Sequence, residues 1–415
     1  MRHSIFATLA AAVFAGSIAG PVAAGDDRFG HEARADQSIQ LGPRPFYLVN
    51  GMDPSPLKSK LMKCMEGPFH RTNFSIAHRG APLQFPEHTK EAYEAGARMG
   101  AGIVECDVTF TKDGQLVCRH DECDLHTTTN IVDTPLNASC SVPWSGANSG
   151  PRCCASDITL AQFKTLKGKM DASNPAATTP AGYLGGTAAF RTDLYNARGT
   201  LLTLRESIRL NERLGVKHTP ELKAGNTTRI NQVFGSQAAY AQAMIDEFKR
   251  ARVDPRDVYA QSFNLADVIY WVTHEPAYGR QAVYLDDVDP GAGIPPLTAA
   301  ELQDVRRRGV RIFAPPIPAL LDVDSNDQVV PSQYAKDIKA AGLKIITWSF
   351  ERADLRQGAS KAGFYYAFDP QGRAIRKDSD MYLALDALAR DVGVLGVFSD
   401  WPATVSYYAS CMDLD

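Results

Sequence analysis

Ile103-Val104-Glu105-Cys106-Asp107-Val108, followed by Thr111-Lys112-Asp113-Gly114-Gln115, is the stretch whose reading decides the fold. Side chains alternate along a strand, so Glu105 and Asp107 share one face and Val104, Cys106 and Val108 share the other. If helices cover the outside of a barrel, the apolar set points out and the two carboxylates point in. Two carboxylates on an inner wall repel each other and are costly to desolvate unless a cation neutralises them.

Working outward, this run is the second of eight. The others are Phe74–Ala77, Lys217–Leu222, Val258–Phe263, Ala282–Leu285, Val310–Pro315, Leu343–Phe350 and Val392–Phe398. Amphipathic stretches lie between them: Glu91–Met99, Leu204–Leu214, Gln237–Ala251, Ala299–Arg308 and Gln333–Ala341. Apolar runs alternating with helices predict an α/β fold with a parallel sheet, and eight strands close a TIM (β/α)8 barrel. An open doubly wound sheet is the alternative. No G-x-G-x-x-G follows the first run and no P-loop occurs, which counts against it. Residues 122–200 break the rhythm with Gly, Pro, Ala, Asn and clustered cysteines, and read as a disulfide-prone insertion after the second strand, with one helical piece at Thr159–Leu166.

The whole chain is consistent with this. It has 415 residues, 44 % apolar and 22 % charged, which excludes a disordered, collagen-like or coiled-coil protein. Its 44 Lys and Arg against 47 Asp and Glu leave no basic surplus for a nucleic-acid partner. Residues 1–24 carry a basic start, an apolar core and Val22-Ala23-Ala24 before Gly25-Asp26-Asp27, the pattern of a secretory signal peptide. Residues 25–70 are polar and proline-containing, and read as an irregular N-terminal extension to a barrel domain at 71–410. No later window is long and apolar enough to be a transmembrane segment. Export to a periplasmic or secreted location would permit oxidation, so the eight cysteines are candidate disulfide partners. Adjacent Cys153 and Cys154 would bridge to different partners, and Cys118 could be a buried thiol.

Functional residues of such barrels sit at the C-terminal ends of strands. The first run ends in Ala77-His78-Arg79-Gly80-Ala81, and the third in Glu221-Leu222-Lys223. Asp113-Gly114 reads as a two-residue hairpin loop. That register sets Lys112 opposite Gln115 and Asp107 opposite His120, bringing His120-Asp121 back beside the paired carboxylates. Glu105, Asp107 and Glu221 suit a hard divalent cation, Ca²⁺ or Mg²⁺. Arg79 and Lys223 suit a phosphate, and His78 with His120 can exchange protons near neutral pH. Together they predict metal-assisted cleavage of a phosphodiester.

In order along the chain, His78-Arg79-Gly80-Ala81, Pro86-Glu87-His88-Thr89, Glu105-Cys106-Asp107-Val108, Thr111-Lys112-Asp113-Gly114, His120-Asp121 and Glu221-Leu222-Lys223 resemble the motifs of the glycerophosphodiester phosphodiesterases. Gln261-Ser262-Phe263, Thr347-Trp348 and Phe398-Ser399-Asp400-Trp401-Pro402 resemble its later landmarks. The resemblance implies a TIM barrel, a divalent metal at Glu105, Asp107 and Glu221, and a general acid/base pair at His78 and His120. It also implies phosphate binding by Arg79 and Lys223, and Trp348 on the alcohol side of the pocket. Glu87 and Phe263 fall in matched motifs without an assigned role. The expected substrates are small-molecule glycerophosphodiesters such as glycerophosphocholine, cut to glycerol 3-phosphate and an alcohol. The family commonly has Pro-Glu-Asn-Thr where this chain has Pro86-Glu87-His88-Thr89, and the insertion is expected to overhang the pocket. Two alternatives stand beside this: phospholipase D-like cleavage of an intact phospholipid or sphingolipid headgroup, and a non-catalytic phosphodiester-binding barrel.

Overall fold

Eight parallel strands close on themselves in the computed structural model, which describes residues 39–192, 195 and 198–414. They are Thr72–Ala77, Ala101–Phe110, Lys217–Leu222, Gln261–Ser262, Val283–Leu285, Ile312–Ala314, Lys344–Phe350 and Gly396–Ser399. Each pairs with its successor, and the first strand pairs with both the second and the last, as in Ile76 opposite Ile103 and Ser75 opposite Val397. The barrel read from the eight apolar runs is therefore present. The last run is shorter than expected, because Ala387–Val392 continues the preceding helix as a π-turn and Gly393, at φ 71°, ends it.

The two faces of the second strand divide as its alternation requires. Val104, Cys106 and Val108 join the outer core beneath the helices. Ile103 joins Ile76, Val283, Leu285, Ile312 and Ile346 in an apolar plug inside the barrel. Glu105 and Asp107 lie on that same inward face, toward the strand's C-terminal end, and each is at most 3 % exposed. The helices are fixed by local signals. Thr203 and Glu206 form a capping box for Leu204–Leu214, as do Thr298 and Glu301 for Ala299–Arg307.

Four expectations need correction. The Asp113-Gly114 hairpin has a three-residue loop. Thr111 N donates to Gln115 O, Gly114 takes φ 74°, and Val108 pairs with Cys118. The register therefore differs by one residue. Arg119, whose backbone N–H donates to Asp107 O at 2.8 Å, takes the place expected of His120. Secondly, Cys118 is bonded to Cys106 and is not a free thiol. Thirdly, the described part of the N-terminal extension is not irregular. It holds helices Arg44–Gly51 and Pro56–Lys63, and Cys64 bonds to Cys411 of the final helix, Pro402–Met412. Pro45 and Pro56 occupy first-turn positions, where a missing N–H costs nothing. Finally, the insertion's helical piece shrinks to Leu160–Phe163.

The insertion gathers short turns around its own apolar cluster, which includes Leu125, Ile131, Phe163 and Leu166. Cys123–Cys154 and Cys140–Cys153 staple it, so the adjacent cysteines do take different partners. The leader at residues 1–24 and the start of the extension lie outside the described residues. Among the described residues, no helix is long and apolar enough to cross a membrane.

Candidate active site

A cavity of about 290 Å³ opens at the C-terminal rim of the barrel. His78, Arg79, Glu105, His120, Glu221, Lys223, Phe263 and Trp348, all singled out from the sequence, line it. Asp107 lies just behind this wall. The rim also presents Phe398, which heads a matched landmark without an assigned role, and Arg352, Tyr365 and Leu285, which sequence reasoning did not select.

His78 and Arg79 follow the first strand through a tight turn with φ 54° at Arg79 and φ 100° at Gly80. A Cβ at Gly80 would lie 2.7 Å from the Ala92 backbone carbon, so only glycine lets the turn sit against the following helix. The turn aims Arg79 N at Glu105 Oε2, 2.9 Å away. It also brings the Arg79 guanidinium within 2.9 Å of Glu87 Oε2 and 3.5 Å of Asp107 Oδ2. Burial would raise the Glu87 carboxyl, yet Arg79 holds it down at about 2. Glu87 is thus an anionic brace for Arg79.

Glu105, Asp107 and Glu221 each bring a carboxylate oxygen within 4.8 Å of the others, all three being buried. Gln261 Nε2 donates to Glu105 Oε1 at 2.8 Å, and Lys223 Nζ to Glu221 Oε1 at 2.6 Å. His88 Nε2 donates to Asp107 Oδ2 at 2.8 Å, while Tyr93 OH donates to His88 Nδ1 at 3.0 Å. His88, which stands where the family resemblance implies asparagine, thus holds the Asp107 carboxylate. Asp107 Oδ1 is buried and has no partner. Burial first, then Asp107 and Glu221, push the Glu105 carboxyl well above its ordinary value. Burial also raises Glu221 to about 7, against the pull of Lys223. Asp107 goes the other way: burial would raise it, but His88, Lys223 and Arg79 together hold it well down.

His78 Nδ1 lies 2.5 Å from Asp400 Oδ1, and its Nε2 lies 3.3 Å from Ser349 Oγ and 3.9 Å from Glu105 Oε2. Burial and Arg79 lower the His78 imidazole to about 4, while Asp400 pulls upward. His120 is lowered well below its ordinary value by burial, then by Arg79 and Lys223. Both rings are therefore neutral near pH 7. On the other wall, Trp348 packs edge-on against Phe263 and Tyr365, with Lys223 Nζ 5.8 Å above the Phe263 ring.

Asp400 was visible inside a matched motif, but its contact with His78 spans 322 residues, so no local pattern could show it. Arg352, which donates to the second oxygen of Asp400, carried no sequence signal at all.

A closed (β/α)8 barrel with buried carboxylates, two imidazoles and three cationic side chains around one rim cavity is laid out as a hydrolase of phosphoric esters. Comparisons with known proteins narrow that class. Residues 78–404 match the model of the glycerophosphoryl diester phosphodiesterase family. The chain belongs to this family, whose members are phosphoric diester hydrolases. A protein of Arthroderma benhamiae described as an extracellular protein is 44 % identical over 250 residues, spanning 59 % of this chain and 100 % of that one. A glycerophosphodiester phosphodiesterase of Arabidopsis thaliana is 22 % identical, over 81 % of this chain and 85 % of its own length. A crystal structure of a Silicibacter pomeroyi protein shares the fold with TM-score 0.55 at 18 % identity, covering 83 % of this chain and 94 % of that one.

Proposed function

We propose that the protein is an exported, metal-dependent enzyme that hydrolyses small glycerophosphodiesters such as glycerophosphocholine to glycerol 3-phosphate and an alcohol. The observation that carries this reading is the buried trio Glu105, Asp107 and Glu221, with Asp107 Oδ1 left without a partner. Three buried carboxylates at this spacing repel unless a cation sits between them. Oxygen-only donors suit Ca²⁺ or Mg²⁺ over Zn²⁺. The residues present therefore fit a divalent ion, which when bound would polarise the phosphoryl group and offset its developing charge.

The chain's own residues supply the rest. Arg79 and Lys223 hold the phosphate oxygens, with Arg79 braced by Glu87. The Nδ1 of His78 is committed to Asp400, so the proton moves at Nε2, and the Asp400 carboxylate stabilises the cation formed when Nε2 accepts it. His120, also at the cavity wall, takes up a proton beside the bound phosphate anion and, as the imidazolium, gives it to the leaving alkoxide oxygen. The ring cluster of Trp348, Phe263 and Tyr365 bounds the alcohol side. Export is supported by four disulfides and by the extracellular description of the Arthroderma benhamiae relative.

The test is turnover of glycerophosphocholine by the purified protein and by His78→Ala. The variant is expected to lose activity by about two to four orders of magnitude. Full activity in His78→Ala would refute the mechanism.

A further inference from the structure

The mechanism leaves one set of buried charges unused, and it links the insertion to His78. Arg352 follows the seventh barrel strand, Lys344–Phe350, and lines the cavity. Its Nη1 donates to Asp400 Oδ2 at 2.9 Å, on the side of the carboxylate away from His78. Its Nη2 lies 3.3 Å from Asp171 Oδ2, a residue of the insertion. Asp171 Oδ1 is held in turn by Arg191 at 2.5 Å, also in the insertion. The Arg191 guanidinium also donates from Nε to Pro82 O at 3.1 Å, in the loop that follows His78 and Arg79. The contacts thus close a ring: the His78 loop, Arg191, Asp171, Arg352, Asp400 and back to His78.

We infer that Asp171 and Arg191 of the insertion position the catalytic histidine, acting through Arg352 and Asp400, so that the insertion is a working part of this active site. This rests on the functional reading above. Asp400 is 2 % exposed, and a carboxylate so deeply buried stays ionised only beside compensating charge. Arg352 supplies that charge. An ionised Asp400 keeps the His78 proton on Nδ1 and presents Nε2 to the substrate. Arg352 has its own requirement. Its long side chain could swing into the cavity, and Asp171 gives the second nitrogen a fixed partner that aims the first at Asp400. Asp171 is fixed by Arg191, and Arg191 by the loop carrying His78. None of these three groups needs to touch the substrate. They are positioning residues.

Glycerophosphocholine turnover is compared in wild type, Asp171→Asn, Arg191→Gln, Arg352→Met, Arg352→Lys and the double variant Asp171→Asn/Arg352→Met, with thermal unfolding measured for each. Asp171→Asn is expected to lower kcat about ten- to hundredfold with KM changed less than about twofold and the unfolding midpoint held, the cost of a misplaced catalytic group. Arg352→Lys should recover part of what Arg352→Met loses. The double variant should be no worse than Arg352→Met alone, since the residues act as one unit. If Asp171→Asn fails to fold, Arg191→Gln carries the same expectation. Wild-type kcat in both Asp171→Asn and Arg191→Gln would overturn the inference. So would independent, multiplying losses in the double variant, or a rise in KM at unchanged kcat. A wild-type protein inactive on glycerophosphocholine would instead overturn the functional reading itself.

Discussion

At Asp107, one carboxylate oxygen accepts from His88 and lies near Arg79, while the other is buried with no partner. An unpartnered buried oxygen is expensive, and a bound cation removes the expense. His88→Ala would free Asp107 to rotate. The expected result is a metal affinity weakened about tenfold to a hundredfold, as for other groups that orient a ligand, read by titrating activity against added cation. Unchanged affinity would mean that His88 only fills space. A second residue-scale prediction concerns Asp286, whose carboxylate accepts from Tyr334 OH at 2.7 Å. Burial pushes its carboxyl up to about 6. A folded value raised above the unfolded one, about 4, means that the folded state holds the proton more tightly. Its stabilising effect is complete below about pH 4 and is lost as pH rises through 6. Asp286→Asn should therefore stabilise the protein at pH 7 by about 2 kcal/mol and flatten the pH 4–6 slope of its denaturant midpoint. An unaltered slope would contradict this.

Among the elements, the hairpin after the second strand shows how far a local pattern reaches. Asp-Gly can form a two-residue loop or close a three-residue one with glycine in the left-handed region, and both readings satisfy the sequence. The backbone chose the second, which turns Arg119 inward under the insertion and leaves His120 to enter the cavity beyond the paired residues. The site survived the change in register because His120 lies past the end of the ladder. By contrast, Glu105, Asp107 and Glu221 sit on regular strand positions, and Lys223 directly follows the third strand and hydrogen-bonds Val108 O in continuation of it, so period 2 alone fixes the face. They were legible for that reason. The Cys106–Cys118 bond adds a covalent tie between the strand bearing two carboxylates and the segment leading to His120. Cys106→Ala/Cys118→Ala should destabilise the protein by about 2–3 kcal/mol, checked by chemical denaturation, because the closed loop is short.

For the molecule as a whole, length and alternation were enough for a closed barrel, since eight apolar runs have few other ways to bury themselves. The contacts that complete the site were not readable, because they join distant positions. Arg352 meets Asp171 across 181 residues, and His78 meets Asp400 across 322. The same holds for Cys64–Cys411, which joins a helical segment before the barrel to its last helix across 347 residues. Closing so long a loop restricts the unfolded chain strongly. Cys64→Ser/Cys411→Ser should cost roughly 6 kcal/mol in the chain-entropy picture, with kcat unchanged because the bond is remote from the cavity. A fall in kcat at low temperature would contradict that separation of stability from catalysis.

The central claim is that buried Glu105, Asp107 and Glu221 hold a divalent ion on which phosphodiester hydrolysis depends. The most direct measurement is glycerophosphocholine turnover after exhaustive dialysis against EDTA, then after adding back Ca²⁺ or Mg²⁺, for wild type and Asp107→Asn. The account predicts that the stripped wild type is inactive, that at least one of the two ions restores it, and that Asp107→Asn stays inactive with either. Undiminished turnover of the stripped protein would contradict it.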